Sequence, residues 1–206
     1  MAGLFITMEG GDGAGKSTQI AKLKDYLSNK GYDIILCREP GGTPISEAIR
    51  EVILNREFTE MDPMTELLLY ASARAQLTAQ VIRPALEEGK IVICDRFVDS
   101  SAVYQGIARG MGQELVYAVN QYAMGDTIPD VTILLDVKGR DGIRRKKEQA
   151  ELDRMELETA AFHEKVSEGY RILAKENPDR IRSIDGTQTI DEIHEQIRAI
   201  VDQILE

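Results

Sequence analysis

Short apolar runs alternate with stretches of helical period along this chain. Residues 4–8, 32–37, 90–95, 131–136 and 180–184 are compact runs of the kind that form strands in a parallel sheet. Residues 18–29 carry Ile20, Leu23 and Leu27 on one face and lysines on the other, as an amphipathic helix does. Residues 45–54 predict a short helix carrying Arg50. Asp62-Pro63, a cap followed by proline at the first helical position, announces a long apolar-rich helix over 64–88. Within it Tyr70 and Arg74 stand four apart and so project from one face. Residues 157–175 and 190–205 predict two further helices, and Ile190, Ile193, Ile197, Ile200, Val201 and Ile204 in the last read simply as core. Strands alternating with helices predict an α/β fold: a parallel five-stranded sheet with helices on both faces, in three layers. The length predicts one domain over residues 1–206, with room for a small mobile insertion.

The first strand runs straight into Gly10-Gly11-Asp12-Gly13-Ala14-Gly15-Lys16-Ser17, which fits G-x-x-x-x-G-K-[ST] without a mismatch. Strand, glycine loop and helix are what polyphosphate binding requires. Glycines let successive N–H groups turn inward, and the helix N-terminus adds partial positive charge. Gly10 to Thr18 are therefore expected to hold a polyphosphate in a P-loop NTPase-type fold. Lys16 would reach the β- and γ-phosphates and the Ser17 hydroxyl a Mg²⁺ ion. A strand-to-helix turn without a ligand is the bland alternative, disfavoured by the full pattern in this context.

A net charge of −10 argues against general affinity for nucleic acid, so an anionic ligand must be held by local basic groups. Two charged clusters stand out. Arg38-Glu39-Pro40-Gly41-Gly42 follows the second strand and Asp95-Arg96-Phe97 the third. In a parallel sheet both lie on the same edge as the glycine loop, the edge where such sheets bind ligands. Asp95 after an apolar strand matches the second magnesium-site acid of P-loop enzymes, acting directly or through water. No apolar run approaches the roughly 20 residues of a membrane span, and the early first strand leaves no room for a signal peptide. Cys37 and Cys94 each lie at an apolar strand-like run and read as reduced thiols. His163 and His194 offer no metal cluster. A cytoplasmic location is expected.

Taken together, residues 9–18, 38–42, Asp95-Arg96-Phe97 with Ser100 and Ser101, Tyr104-Gln105-Gly106 and Leu152-Asp153-Arg154 resemble the thymidylate kinases over essentially the whole chain. The resemblance is to bacterial members with glycine at position 13 and a basic lid. Phe97 is a mild departure, since the family usually carries tyrosine there. The resemblance implies transfer of the γ-phosphate of ATP to dTMP, with Mg²⁺, in a homodimer, though no stripe in the sequence marks an interface. It implies that Arg38 and Arg74 grip the acceptor phosphate, that Tyr70 stacks on thymine, and that Gln105 hydrogen-bonds the base edge. Tyr104 would pack under the sugar and Asp12 would meet its 3′-hydroxyl. Glu39 and Ser101 complete the implied dTMP site, with Arg96. Lys16, Arg96, Asp95 and Arg145 are the implied catalytic set. The resemblance also implies a small mobile lid at about 138–155, from which Arg144, Arg145 and Lys147, in the basic run 138–147, would act, Arg144 nearer the adenine. Tyr70 as an ordinary core aromatic and Gln105 as a solvated amide stay open. So do another nucleotide or deoxynucleoside kinase and a nucleotide-binding module without turnover.

Overall fold

Leu4–Glu9 (β1) is buried along its whole length, as a central strand covered on both faces must be. The structure, a computed structural model, describes residues 3–138 and 152–205. Beside β1 lie Ile34–Arg38 (β2), Ile91–Asp95 (β3), Val131–Asp136 (β4) and Ile181–Asp185 (β5), in the order β2-β3-β1-β4-β5. Every neighbouring pair is parallel. The predicted α/β fold with five parallel strands is therefore found. The lid expected at about 138–155 falls mostly outside the described residues, and with it Arg144, Arg145 and Lys147.

Among the described residues the α-helices, in chain order, are Lys16–Asn29 (α1), Pro44–Leu54 (α2), Pro63–Leu77 (α3), Arg83–Glu87 (α4), Val98–Ser101 (α5), Gln113–Met124 (α6), Ala160–Glu176 (α7) and Ile190–Leu205 (α8). Side chains alternate across β1. Leu4, Ile6 and Met8 meet Leu23 and Leu27 of α1 and Ile197 and Val201 of α8. Phe5 faces the opposite layer with Leu77 and Phe97. Of the expected core stripe of the last helix, Ile193, Ile197 and Val201 are buried against the sheet and Ile200 packs beside them, whereas Ile190 and Ile204 are exposed.

Three local departures have physical causes. The helix expected over 64–88 is interrupted by a π-helical turn at Thr78–Ile82. Pro84 has no N–H to donate and its ring would strike the carbonyl of the preceding turn. The widened turn, in which Arg83 N–H reaches Thr78 O, accommodates both. The helix predicted from 157 begins at Ala160, capped by the Thr159 hydroxyl, because Asp153 takes the N–H groups of Met155 and Glu156 into a turn. Helix α6 answers to no predicted element. Its buried side includes Asn120 between Val116 and Met124, which hides the apolar period.

Parallel pairing fixes what matters for chemistry. Met8 is in register with Asp95, and Asp95 with Arg38. The glycine loop, Asp95-Arg96 and Arg38-Glu39 therefore emerge together on the carboxyl edge of the sheet.

Candidate active site

The loop after β1 owes its path to its glycines. At Gly10, φ is +136° and an added Cβ would stand 2.6 Å from the Leu135 carbonyl. Gly15 closes the loop at φ +96° and begins α1 without a side-chain cap. Helices α2, α3 and α7 are each capped by a side chain, from Thr43, Asp62 and Thr159. The first N–H groups of α1 are thus left for an outside acceptor, which in this setting is an anion. Lys16 Nζ lies back across the loop, donating to the Gly10 and Gly11 carbonyls at 3.0 and 3.1 Å. Burial and the nearby Arg96 push its pKa down to about 8, against the pull of Asp95, Asp12 and Glu9.

The loop opens onto a cavity of about 310 Å³. One wall is residues 12–18. Across from it stand Arg38, Glu39, Asp95 and Arg96, and further along Tyr70, Ser101, Tyr104 and Gln105. Arg96 reaches it through a backbone at φ +69°, a left-handed conformation that costs roughly 1–2 kcal/mol for a side chain of this kind. The bend drives Phe97 into the core and leaves the Arg96 guanidinium over the cavity. There it donates to Asp12 at 2.7 Å and to Ser100 and Tyr170 at 3.2 Å, and lies 5.3 Å from the Tyr104 ring centre. Burial alone would raise the pKa of Asp12, but Arg96 and Lys16 outweigh it and hold the carboxyl below its usual range. Tyr104 Oη donates to the other Asp12 oxygen at 3.2 Å. Asp95 lines the cavity with its Oδ1 buried and meeting no donor among the described residues. A cavity holding fixed cations, open amides and an unsatisfied carboxylate is built for a polyanion with its counter-ion.

The family model for thymidylate kinase matches residues 8–197. The chain belongs to the thymidylate kinase family. It is 49% identical over 205 residues to a thymidylate kinase of Thermoanaerobacter sp., covering all of both chains. Against that of Geobacillus thermodenitrificans the identity is 48% over 203 residues, 98% of this chain and 90% of the relative. The crystal structure of the thymidylate kinase from Ehrlichia chaffeensis superposes with a TM-score of 0.77 at 32% identity, covering 98% of this chain and 99% of that one.

Within this thymidylate kinase fold the expected residues divide. Tyr70 is half-buried on the cavity wall rather than in the core. Gln105 is buried rather than solvated, its Nε2 donating to Glu66 at 2.9 Å. Arg74 stands apart. It does not line the cavity; its guanidinium is buried beneath, donating to Glu39, Ser101 and Asn120. Burial pushes the Glu39 carboxyl up, and Arg74 opposes it. Truncating one member of such a buried pair typically costs about 3–5 kcal/mol.

The departure at Phe97 also has its place. The ring is fully buried, edge-on to Phe5 at 5.0 Å and with the Arg74 guanidinium 5.3 Å from its centre, so it packs between the core and the buried Arg74. Three side chains at the site were not marked by any sequence motif. Arg50 lines the cavity and donates to Pro40 O at 2.8 Å. Tyr170 donates to Glu9 at 2.8 Å across the sheet edge. Glu66 looks in sequence like an ordinary first-turn helix acid. Only its burial separates it from one.

Proposed function

We infer that this protein transfers the γ-phosphate of ATP to dTMP, giving ADP and dTDP. The uncapped glycine loop with Lys16, facing Arg96 and Arg38 across one cavity, carries the inference. In this reading the loop from Gly10 to Thr18 holds the donor phosphates, and Arg38 and Arg96 the acceptor phosphate, suited by the planar fork of the guanidinium. Arg74 positions Glu39 and Ser101 under the acceptor rather than gripping it. Tyr70 and Gln105 hold the base, and Tyr104 with Asp12 the sugar. The nucleophile is a phosphate oxygen, already largely dianionic near neutral pH. No strong base is required. Positioning and charge neutralisation carry the reaction.

A Mg²⁺ ion fits the oxygen donors Ser17 Oγ and Asp95, whose Oδ1 has no partner among the described residues. Magnesium keeps most of its waters and takes one or two protein oxygens beside substrate phosphates, so a larger cluster is not needed. The ion would supply charge neutralisation between the transferring phosphates. Arg144, Arg145 and Lys147 would add cations from a lid over residues 138–155, Arg145 among the catalytic groups, within a single domain. Both cysteines are free thiols, in keeping with a reducing cytoplasm.

A coupled assay of ADP release tests the acceptor directly. dTMP is expected to be the best acceptor, dUMP poorer, and AMP and GMP hardly used. Turnover of AMP equal to dTMP would overturn the substrate assignment and leave the kinase reading standing.

A homodimer is the proposed assembly, through α3 and α6. Tyr122 is 94% exposed and Leu68 49%, beside Ala71, Ala75, Ala118 and Val119. Contiguous apolar surface of this kind marks an interaction face. Tyr122→Glu is expected to shift the sedimentation coefficient from dimer to monomer. A variant that sediments like the wild-type dimer would place the interface elsewhere.

A further inference from the structure

Glu66 is 1% exposed, in the first turn of α3. Its Oε1 accepts Gln105 Nε2 at 2.9 Å and Arg109 Nε at 3.2 Å. Its Oε2 accepts Arg109 Nη2 at 3.1 Å and Arg154 Nη2 at 2.7 Å. Arg154 is itself anchored to the Ile53 carbonyl at 2.7 Å, so the carboxylate is clamped from two directions. Burial works to raise its pKa, but the donors of Arg109, Gln105 and Arg154 outweigh it and keep it below the usual range.

An ionised carboxylate has no proton to give. Gln105 can therefore meet Glu66 only through its NH₂ group, and the amide oxygen must point the other way. Gln105 lines the cavity beside Tyr70, and with Nε2 committed to Glu66 the group it has left to offer a ligand there is its oxygen. The amide thus faces the base position as a hydrogen-bond acceptor.

We propose that Glu66 is a positioning residue for base specificity: by engaging Nε2 it presents Gln105 to the cavity as an acceptor alone, which selects pyrimidines carrying an N3–H donor. The inference rests on the reading of this cavity as the dTMP site. Thymine and uracil both offer N3–H. Cytosine sets an N3 lone pair against the same oxygen, and its amine lies one atom further round the ring. Rejection arises from an acceptor facing an acceptor, with Arg109 and Arg154 preventing the amide from turning over to relieve it.

The test is Glu66→Gln, assayed with dTMP, dUMP and dCMP. A neutral amide at position 66 can donate as well as accept, so Gln105 is free to flip. The preference in kcat/KM for dTMP over dCMP is expected to fall by roughly tenfold to a hundredfold, the worth of one buried hydrogen bond gained or lost. The dTMP to dUMP ratio should stay constant, because both bases carry the same N3–H. Equal losses with all three acceptors, or an unchanged dTMP to dCMP ratio, would reduce Glu66 to a structural ion pair. Failure of the underlying reading looks different: the wild-type enzyme would then not prefer dTMP at all. If the variant does not fold, the Gln105 side-chain amide of the wild type carries the test by NMR. Its NH₂ protons should be shifted downfield and exchange slowly, and dTMP should leave them so. An NH₂ group that moves to the nucleotide on binding would overturn the proposal.

Discussion

Lys16→Ala is expected to lower kcat by roughly 10²–10³ or more, the scale of losing one charged donor preorganised for the transition state, while the protein stays folded. Among the described residues the Lys16 amine hydrogen-bonds the loop carbonyls of Gly10 and Gly11 and no side chain, so no buried ion pair is broken by its removal. Alanine is also a good first residue for α1. The same lysine sets a pH signature. With its pKa down to about 8 in the free enzyme, it loses its proton sooner than an ordinary lysine as pH rises. Only the protonated form attracts triphosphate, so kcat/KM for ATP should decline through about pH 8. Bound ATP brings negative charge and restores the proton, so kcat should hold to higher pH. Lys16→Ala should remove that alkaline limb. Retention of near-wild-type kcat, or an alkaline limb persisting in the variant, would mean that the donor phosphates lie elsewhere.

Arg96→Ala is expected to cost roughly 10³ in kcat/KM for dTMP, combining a lost phosphate contact with lost transition-state charge. Its guanidinium is shared among Asp12, Ser100 and Tyr170, which fixes it over the cavity before substrate arrives. Removing it also strips the Asp12 carboxylate of its ion-pair partner at 2.7 Å, leaving an unpaired negative charge beside the acceptor phosphate. Arg96→Lys separates the two effects. Lysine restores the charge beside Asp12 but not the fork of donors, so it should recover only a minor part of the activity. Full recovery by lysine would make Arg96 a charge partner of Asp12 and nothing more. Steady-state kinetics with ATP and dTMP varied separately decide the matter.

Much of this protein is legible before it folds, for reasons that are local. Strand, glycine loop and helix follow one another within residues 4–29, so the phosphate site needs no distant contact to be recognised. The Asp62 cap with Pro63 announces α3, and the Asp62 side chain does accept the N–H groups of Met64 and Thr65. Even the gathering of Arg38, Asp95 and the loop on one edge follows from sequence, because parallel strands must end on the same side. Helix α6 was hidden because a buried asparagine stands in its core stripe. The interruption at Pro84 could be foreseen from the proline but not its form, since a helix may answer by kinking, ending or widening.

The roles of single polar side chains belong to the tertiary structure. Nothing in the helical spacing of Tyr70 and Arg74 says that the first faces the cavity and the second lies buried under it. That division depends on Glu39, 35 residues away in sequence, and on Asn120, 46 away. Tyr170 reaches Glu9 across 161 residues. Glu66 has the sequence of a routine first-turn acid and becomes the hub of Gln105, Arg109 and Arg154 only when three elements close over it. Local pattern specifies the backbone because hydrogen bonding and apolar period repeat along it. A buried charge must instead find its compensation wherever the chain returns, and that pairing is written only in three dimensions.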